Sequence, residues 1–114
     1  MKTPRVYQIE YNKLEVVRED ITKGIAGFSL IPSGMKATKV VLTTVEPYGE
    51  FSLHQDQYHH ILYFISGTGE CNLGDETHPV GPGTIVEIPA GTLHGYKNRS
   101  EVPIQLLTIN IQLS

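Results

Sequence analysis

Short apolar runs cut by glycine and proline dominate this chain and leave little room for anything but β-structure. Lys39 to Val45 is β-branched at most positions and runs into Glu46-Pro47-Tyr48-Gly49, where the strand is expected to end. Ile61 to Ser66 stops at Gly67-Thr68-Gly69, and Glu70 to Leu73 and Thr77 to Val80 flank Gly74-Asp75, a hairpin turn. Thr84 to Ile88 lies between Gly81-Pro82-Gly83 and Pro89-Ala90-Gly91. His94 to Asn98 and Ile104 to Leu113 supply two further strands, and Phe28 to Ile31 closes at Pro32-Ser33-Gly34. Strands recurring every ~8–12 residues between such turns predict an all-β sandwich or barrel. One short helix fits around Arg18 to Lys23, limited by Gly24 and Gly27.

The 114 residues suit a single domain, 1–114, and 39% hydrophobic with 18% charged residues is a folding composition. A formal charge of -3, with basic residues scattered except for Lys97 and Arg99, argues against nucleic acid or anionic lipid as a partner. No stretch approaches the ~18 apolar residues of a membrane helix. Met1 to Glu10 lacks the apolar core of a secretion signal, so a cytoplasmic protein is expected. Cys71 is the only cysteine, which excludes an intramolecular disulfide and a thiolate zinc cage. Residues 1–30 read as N-terminal edge strands (Val6-Tyr7, Leu14 to Val17) or as an arm lying on a partner. Exposed sheet edges and that segment together predict a homodimer.

Three of the five histidines share one segment with an aspartate, His54-Gln55-Asp56-Gln57-Tyr58-His59-His60. Side chains alternate along a strand, so His54, Asp56 and His60 have equal parity while His59 does not. His94 follows a Pro-Ala-Gly turn far along the chain, where a paired strand brings it opposite. Three imidazoles and one carboxylate match the ligand preference of a divalent Zn, Fe, Ni, Mn or Cu ion. His59 and His78 lack same-face partners and read as ordinary hydrogen-bonded histidines.

At these residues the chain resembles the cupin superfamily. Its second motif, G-x5-P-x-G-x2-H-x3-N, is met in full by Gly83, Pro89, Gly91, His94 and Asn98. Its first, G-x5-H-x-H-x3,4-E-x6-G, is closed by Gly67, which puts His60 at the glutamate position, Asp56 at the second histidine and His54 at the first. Gly49 lies one residue closer to His54 than the pattern asks. Residues 68 to 82 form the short spacer of small microbial cupins, and the likeness covers about 40–113. It implies a single-domain cupin jelly-roll β-barrel. It also implies that the usual metal set of three histidines and one carboxylate is kept here with the carboxylate moved: His54, Asp56, His60 and His94. Asn98 is then a structural hydrogen-bonder. Gly83 and Gly91 suit turns that side chains would obstruct.

By parity with His60, Leu62 and Phe64 are expected to line the pocket, with Phe28, Leu42, Thr44, Leu106 and Thr108 adding to the wall. Tyr96 shares parity with His94 and is the candidate for proton transfer beside the metal, with His59 a second; Tyr58 and Gln57 face the mouth. Cys71 reads as a buried, inert thiol. The resemblance implies a small metal-dependent enzyme acting on a small oxygenated molecule. The chemistry would be that of a dioxygenase, or of an isomerase, lyase or cyclase using the metal as a Lewis acid. The alternative is a non-catalytic cupin that binds or senses a small molecule.

Overall fold

The computed structural model describes residues 5, 8–15, 18–30 and 39–111. A 3-10 turn at Ile9–Asn12 leads into β1 (Lys13–Leu14), followed by β2 (Thr22–Ser29), β3 (Lys39–His54), β4 (His59–Ser66) and β5 (Gly69–Leu73). Then come β6 (Glu76–Val80), β7 (Ile85–Ile88), β8 (His94–Lys97) and β9 (Ile104–Ile111). All pairings among these strands are antiparallel, in the order β6-β5-β8-β3-β9-β4-β7, with β2 also on β3 and β1 on β2. This is the all-β jelly-roll expected from the sequence. No helix among the described residues is long and apolar enough to cross a membrane.

Strand β3 departs from expectation. It does not stop at Glu46-Pro47 but runs sixteen residues, from Lys39 to His54. A bend at Tyr48, whose φ is 60°, makes this possible. The first half pairs with β9 and the second with β8, while β2 follows β3 on both sides of the bend through a register shift between Lys23 and Ile25, so one strand serves both layers of the curled sheet. Proline is tolerated there because a bend needs no ladder donor. Asn98 secures the corner: buried, it donates from Nδ2 to Val45 O at 3.2 Å, Glu46 O at 3.1 Å and Val102 O at 2.8 Å. Its Oδ1 accepts from the Ser100 N–H and hydroxyl, both at 3.0 Å. The structural role foreseen for Asn98 is therefore what it performs.

The helix anticipated at Arg18 to Lys23 is absent. Ile21 N–H and Thr22 Oγ1 both donate to Arg18 O, closing a single turn before β2 takes over. Gly74-Asp75 does make the two-residue turn between β5 and β6, with Leu73 opposite Glu76. Val6-Tyr7, Val16-Val17, Ile31 to Gly34 and Leu113 lie outside the described residues.

The core fills the curl of the sheet with Val45, Leu62, Phe64, Cys71, Ile104 and Leu106, each at most 2% exposed. On β3 the inward residues are Val41, Thr43 and Val45. Leu42 and Thr44, expected to line the interior, alternate to the other face, and Phe28 goes with them because it pairs directly with Leu42. Leu106 does face inward. Burial pushes the Cys71 thiol up to about 11, consistent with an inert core thiol.

Candidate metal centre

Strand pairing assembles the histidines. His54 ends β3 and lies directly opposite His94, which begins β8. A register shift on β3 between Phe51 and His54 turns His54 inward, and Gly95 permits it, since a Cβ there would meet Phe51 O at 2.5 Å. His60 opens the inward face of β4, opposite Asn110 on β9. Asp56 sits in the loop between His54 and His60, which is tied down by Gly91 N–H donating to Asp56 O at 2.8 Å. Gly91 itself has φ 83°, as its turn requires.

His54, Asp56, His60 and His94 each turn one ligand atom to a common centre, all four atoms within 4.8 Å of one another. Asp56 Oδ2 stands 2.8 Å from His60 Nε2, 3.1 Å from His54 Nε2 and 3.8 Å from His94 Nε2. The outer ring nitrogens are all engaged. His54 Nδ1 reaches Ser52 O at 2.8 Å, His94 Nδ1 reaches Thr92 O at 2.8 Å, and His60 Nδ1 reaches Asn110 Oδ1 at 2.7 Å. Carbonyl oxygens only accept, so each Nδ1 carries the proton and each Nε2 turns a lone pair inward. Three such lone pairs and a carboxylate oxygen repel one another unless a cation or a shared proton lies between them. The donor set therefore fits a divalent transition metal on its own chemistry.

Electrostatics agree with that fit. When a shared proton rather than a cation lies within the cluster, burial pushes the Asp56 carboxyl up, but a hydrogen bond from His60 Nε2 and the positive fields of His54, His60 and Arg18 outweigh it and hold the group below its usual range. His94 is held below the ordinary histidine value, chiefly by burial and further by His54 and His60, against the opposing Thr92 hydrogen bond and Asp56. A ligand histidine must be neutral, and burial favours that form.

Three neighbours complete the site. Arg18 donates from Nη1 to Asp56 Oδ1 at 2.9 Å, occupying one carboxylate oxygen and leaving Oδ2 to the histidines. Phe51 stacks on His54 with ring centres 4.3 Å apart, and Tyr58 meets His60 edge-on at 4.9 Å. Arg18 and Asn110 escaped the sequence reading because they lie 38 and 50 residues from their partners, beyond any local pattern.

A cavity of about 230 Å³ is lined by Arg18, Phe51 and Asn110, which contact the cluster, but by none of its four ligand residues. Thr43, Thr108 and Tyr96 add to the lining, with Leu14, Ile25 and Val41 supplying apolar wall. Of the expected lining residues, Leu62 and Phe64 sit in the packed core and Phe28 lies on the opposite face of the sheet, while Thr108 lines the cavity. Tyr96 lines it too, edge-on to Phe51 at 5.7 Å, and burial pushes its phenol well above the ordinary value, with Cys71 adding to the rise. His59 is outside the cluster: its Nδ1 accepts from Ala90 N–H at 2.9 Å. His78 pairs with Glu76 on the surface at 3.1 Å.

Solved structures share this architecture. The polyketide cyclase RemF from Streptomyces resistomycificus superposes with a TM-score of 0.81 at 26% identity, over 96% of this chain and 80% of that one. A cupin-2 domain protein from Rhodospirillum rubrum gives 0.79 at 18% identity, over 97% and 76% of the respective chains. A sugar phosphate isomerase of the cupin superfamily from Silicibacter pomeroyi gives 0.71 at 23%, over 79% and 60%. No curated protein matches the chain by sequence. The family model described as Cupin domain matches residues 41–110, the stretch that carries every histidine of the cluster, and the chain belongs to that family.

Proposed function

We propose that the protein is a small metal-dependent enzyme whose single divalent transition metal is held by His54, Asp56, His60 and His94. The observation that carries this reading is the convergence of three Nε2 atoms on Asp56 Oδ2 while every Nδ1 is anchored outside. Its substrate is a small oxygenated molecule in the adjoining cavity, and the reaction class is isomerisation, cyclisation or lysis. The 26% identical structure is that of a polyketide cyclase, and a more distant one is that of a sugar phosphate isomerase, both names of non-oxidative enzymes. When bound, the metal supplies Lewis acidity to a carbonyl or hydroxyl oxygen.

The chain's own residues do the rest. Asn110 and the Ser52 and Thr92 carbonyls orient the imidazoles. Arg18 lines the cavity while bonded to Asp56, and so offers a cation to an anionic oxygen of the substrate. Leu14, Ile25, Val41 and Phe51 hold the apolar body and exclude water. Tyr96, kept protonated by burial, donates a hydrogen bond to the substrate and is no base at neutral pH.

Elemental analysis of the purified protein beside a His54→Ala/His94→Ala variant tests the centre. Near one equivalent in the parent and none in the variant is the expected result. A parent that stays empty after reconstitution with Zn, Fe, Ni, Mn and Cu would remove the metal reading. A loaded protein that turns over no carbonyl or hydroxyl compound in a broad screen, yet binds one, would make it a binding module instead.

A further inference from the structure

The polar side chains inside the cavity are of one kind: each has a hydrogen to give. Thr43 and Tyr96 are 5% and 7% exposed, and the Thr43 hydroxyl pairs with that of Thr108 at 3.0 Å. One of those hydroxyls donates to the other, so the second keeps a free hydrogen. Among the described residues the Tyr96 hydroxyl has no hydrogen-bond partner, although no fully buried polar side-chain atom goes without one. That hydroxyl is therefore open to the cavity its ring lines. Asn110 commits Oδ1 to His60 Nδ1, which leaves the Nδ2 hydrogens unused. Arg18 gives one of its five N–H donors to Asp56 Oδ1, and its guanidinium has no second partner among the described residues. The only carboxylate lining the cavity is Glu15, exposed on the N-terminal segment.

Resting on the reading that this cavity holds the substrate, we propose that the substrate is a small organic acid that also carries a carbonyl. Its carboxylate lies on Arg18 and the Asn110 amide, and its carbonyl oxygen accepts from Tyr96. Donors left unmet in a dry site are costly, so the ligand has to supply acceptors. A polyol or an amine sets its own donors against these, whereas a carboxylate and a carbonyl bring only lone pairs. The Arg18 donors not engaged by Asp56 suit the two parallel oxygens of one carboxylate. Size is bounded as well. At ~30 Å³ for each water, 230 Å³ amounts to about seven or eight waters, room for roughly ten non-hydrogen atoms. Leu14, Ile25 and Val41 take the apolar tail. Asn110 gains a second duty, because one amide group holds both the tautomer of His60 and the position of the acid.

Isothermal titration calorimetry tests it with pyruvate, α-ketoisocaproate and phenylpyruvate, each beside its methyl ester. Metal-loaded and chelator-treated protein are both titrated. An α-keto acid chelates metals by itself, so the chelator-treated protein isolates what the cavity contributes. At least one acid is expected to bind roughly 10- to 100-fold tighter than its ester in both forms, the range for a hydrogen-bonded charge. Arg18→Gln is expected to abolish that preference. Tyr96→Phe is expected to weaken acid and ester alike by roughly 5-fold, since both carry the carbonyl. Circular dichroism verifies the fold of each variant. Equal binding of acids and esters, binding of no acid, or a preference that survives Arg18→Gln overturns the proposal. Tighter binding of isopentyl phosphate than of every acid also overturns it, in favour of a phosphate site. If the loaded protein converts a neutral carbonyl compound while no acid binds, the metal-dependent enzyme stands and the organic acid falls. If no metal binds while the acids keep their preference, the acid site stands and the metal centre falls.

Discussion

His60 on β4 and Asn110 on β9 face each other across the sheet, with Nδ1 2.7 Å from Oδ1. This contact decides which nitrogen of His60 points at Asp56. Replacing Asn110 with alanine leaves the imidazole free to rotate and to change tautomer, so metal affinity is expected to fall about 10- to 100-fold. Competitive titration against a chromogenic chelator measures this. An unchanged dissociation constant would mean that the ring is held by packing, with Tyr58 the residue in position to do so.

Removing the metal should cost stability, because the ligands converge only in the folded chain. At a free metal concentration 100 times the dissociation constant, binding contributes about 2.7 kcal/mol. For a domain of this size that corresponds to roughly 10 °C in melting temperature. Differential scanning calorimetry before and after chelation reads the shift, and re-addition of metal should reverse it. Identical melting curves would argue against a metal at this site.

Asn98→Ala removes the donor shared by Val45 O and Glu46 O at the corner of β3 and by Val102 O in the loop before β9. Asn98 is 2% exposed and its bond to Val45 O is buried, so water cannot reach that carbonyl without opening the corner. An orphaned buried group costs ~1–3 kcal/mol, so the loss should reach about 3 kcal/mol. Urea unfolding of the variant gives the value; a loss under about 1 kcal/mol would show that the corner stands without it.

Alkaline pH should destabilise the core. The ordinary thiol value is 9.0, whereas burial lifts native Cys71 to about 11. Between those values the unfolded chain releases a proton that the native chain keeps, so this stability is full below pH 9 and is lost as pH rises towards 11. Two such units correspond to about 3 kcal/mol. Tyr96 is shifted in the same direction and adds to the slope. Urea midpoints between pH 7 and 11 for the parent and Cys71→Ala separate the contributions. A variant whose pH profile matches the parent's would show that Cys71 contributes none of the slope.

Much of this protein was legible before any coordinates because its strongest signals are local. Strand alternation put His54, Asp56 and His60 at equal parity, and the spacing from Gly83 to Asn98 described one turn with its inward histidine. The structure brings those three residues together with His94, but from the end of β3, the loop after it and β4 rather than from one strand, so alternation is not what places Asp56. Parity failed where a single residue of offset decides the face, as at Leu42 and Thr44, because Val40 to Val45 is apolar on both faces and leaves alternation no contrast to read.

The sequence by itself determined the strands, the turns and the residue types that can meet a metal, since these depend on neighbours a few positions away. Tertiary structure alone decided the rest. Pro47 reads as a terminator, yet β3 passes through it, because pairing with β2, β9 and β8 on both sides of the bend outweighs one missing donor. Arg18 reaches Asp56 and Asn110 reaches His60 only once distant strands are in register, and no spacing along the chain encodes a register between strands.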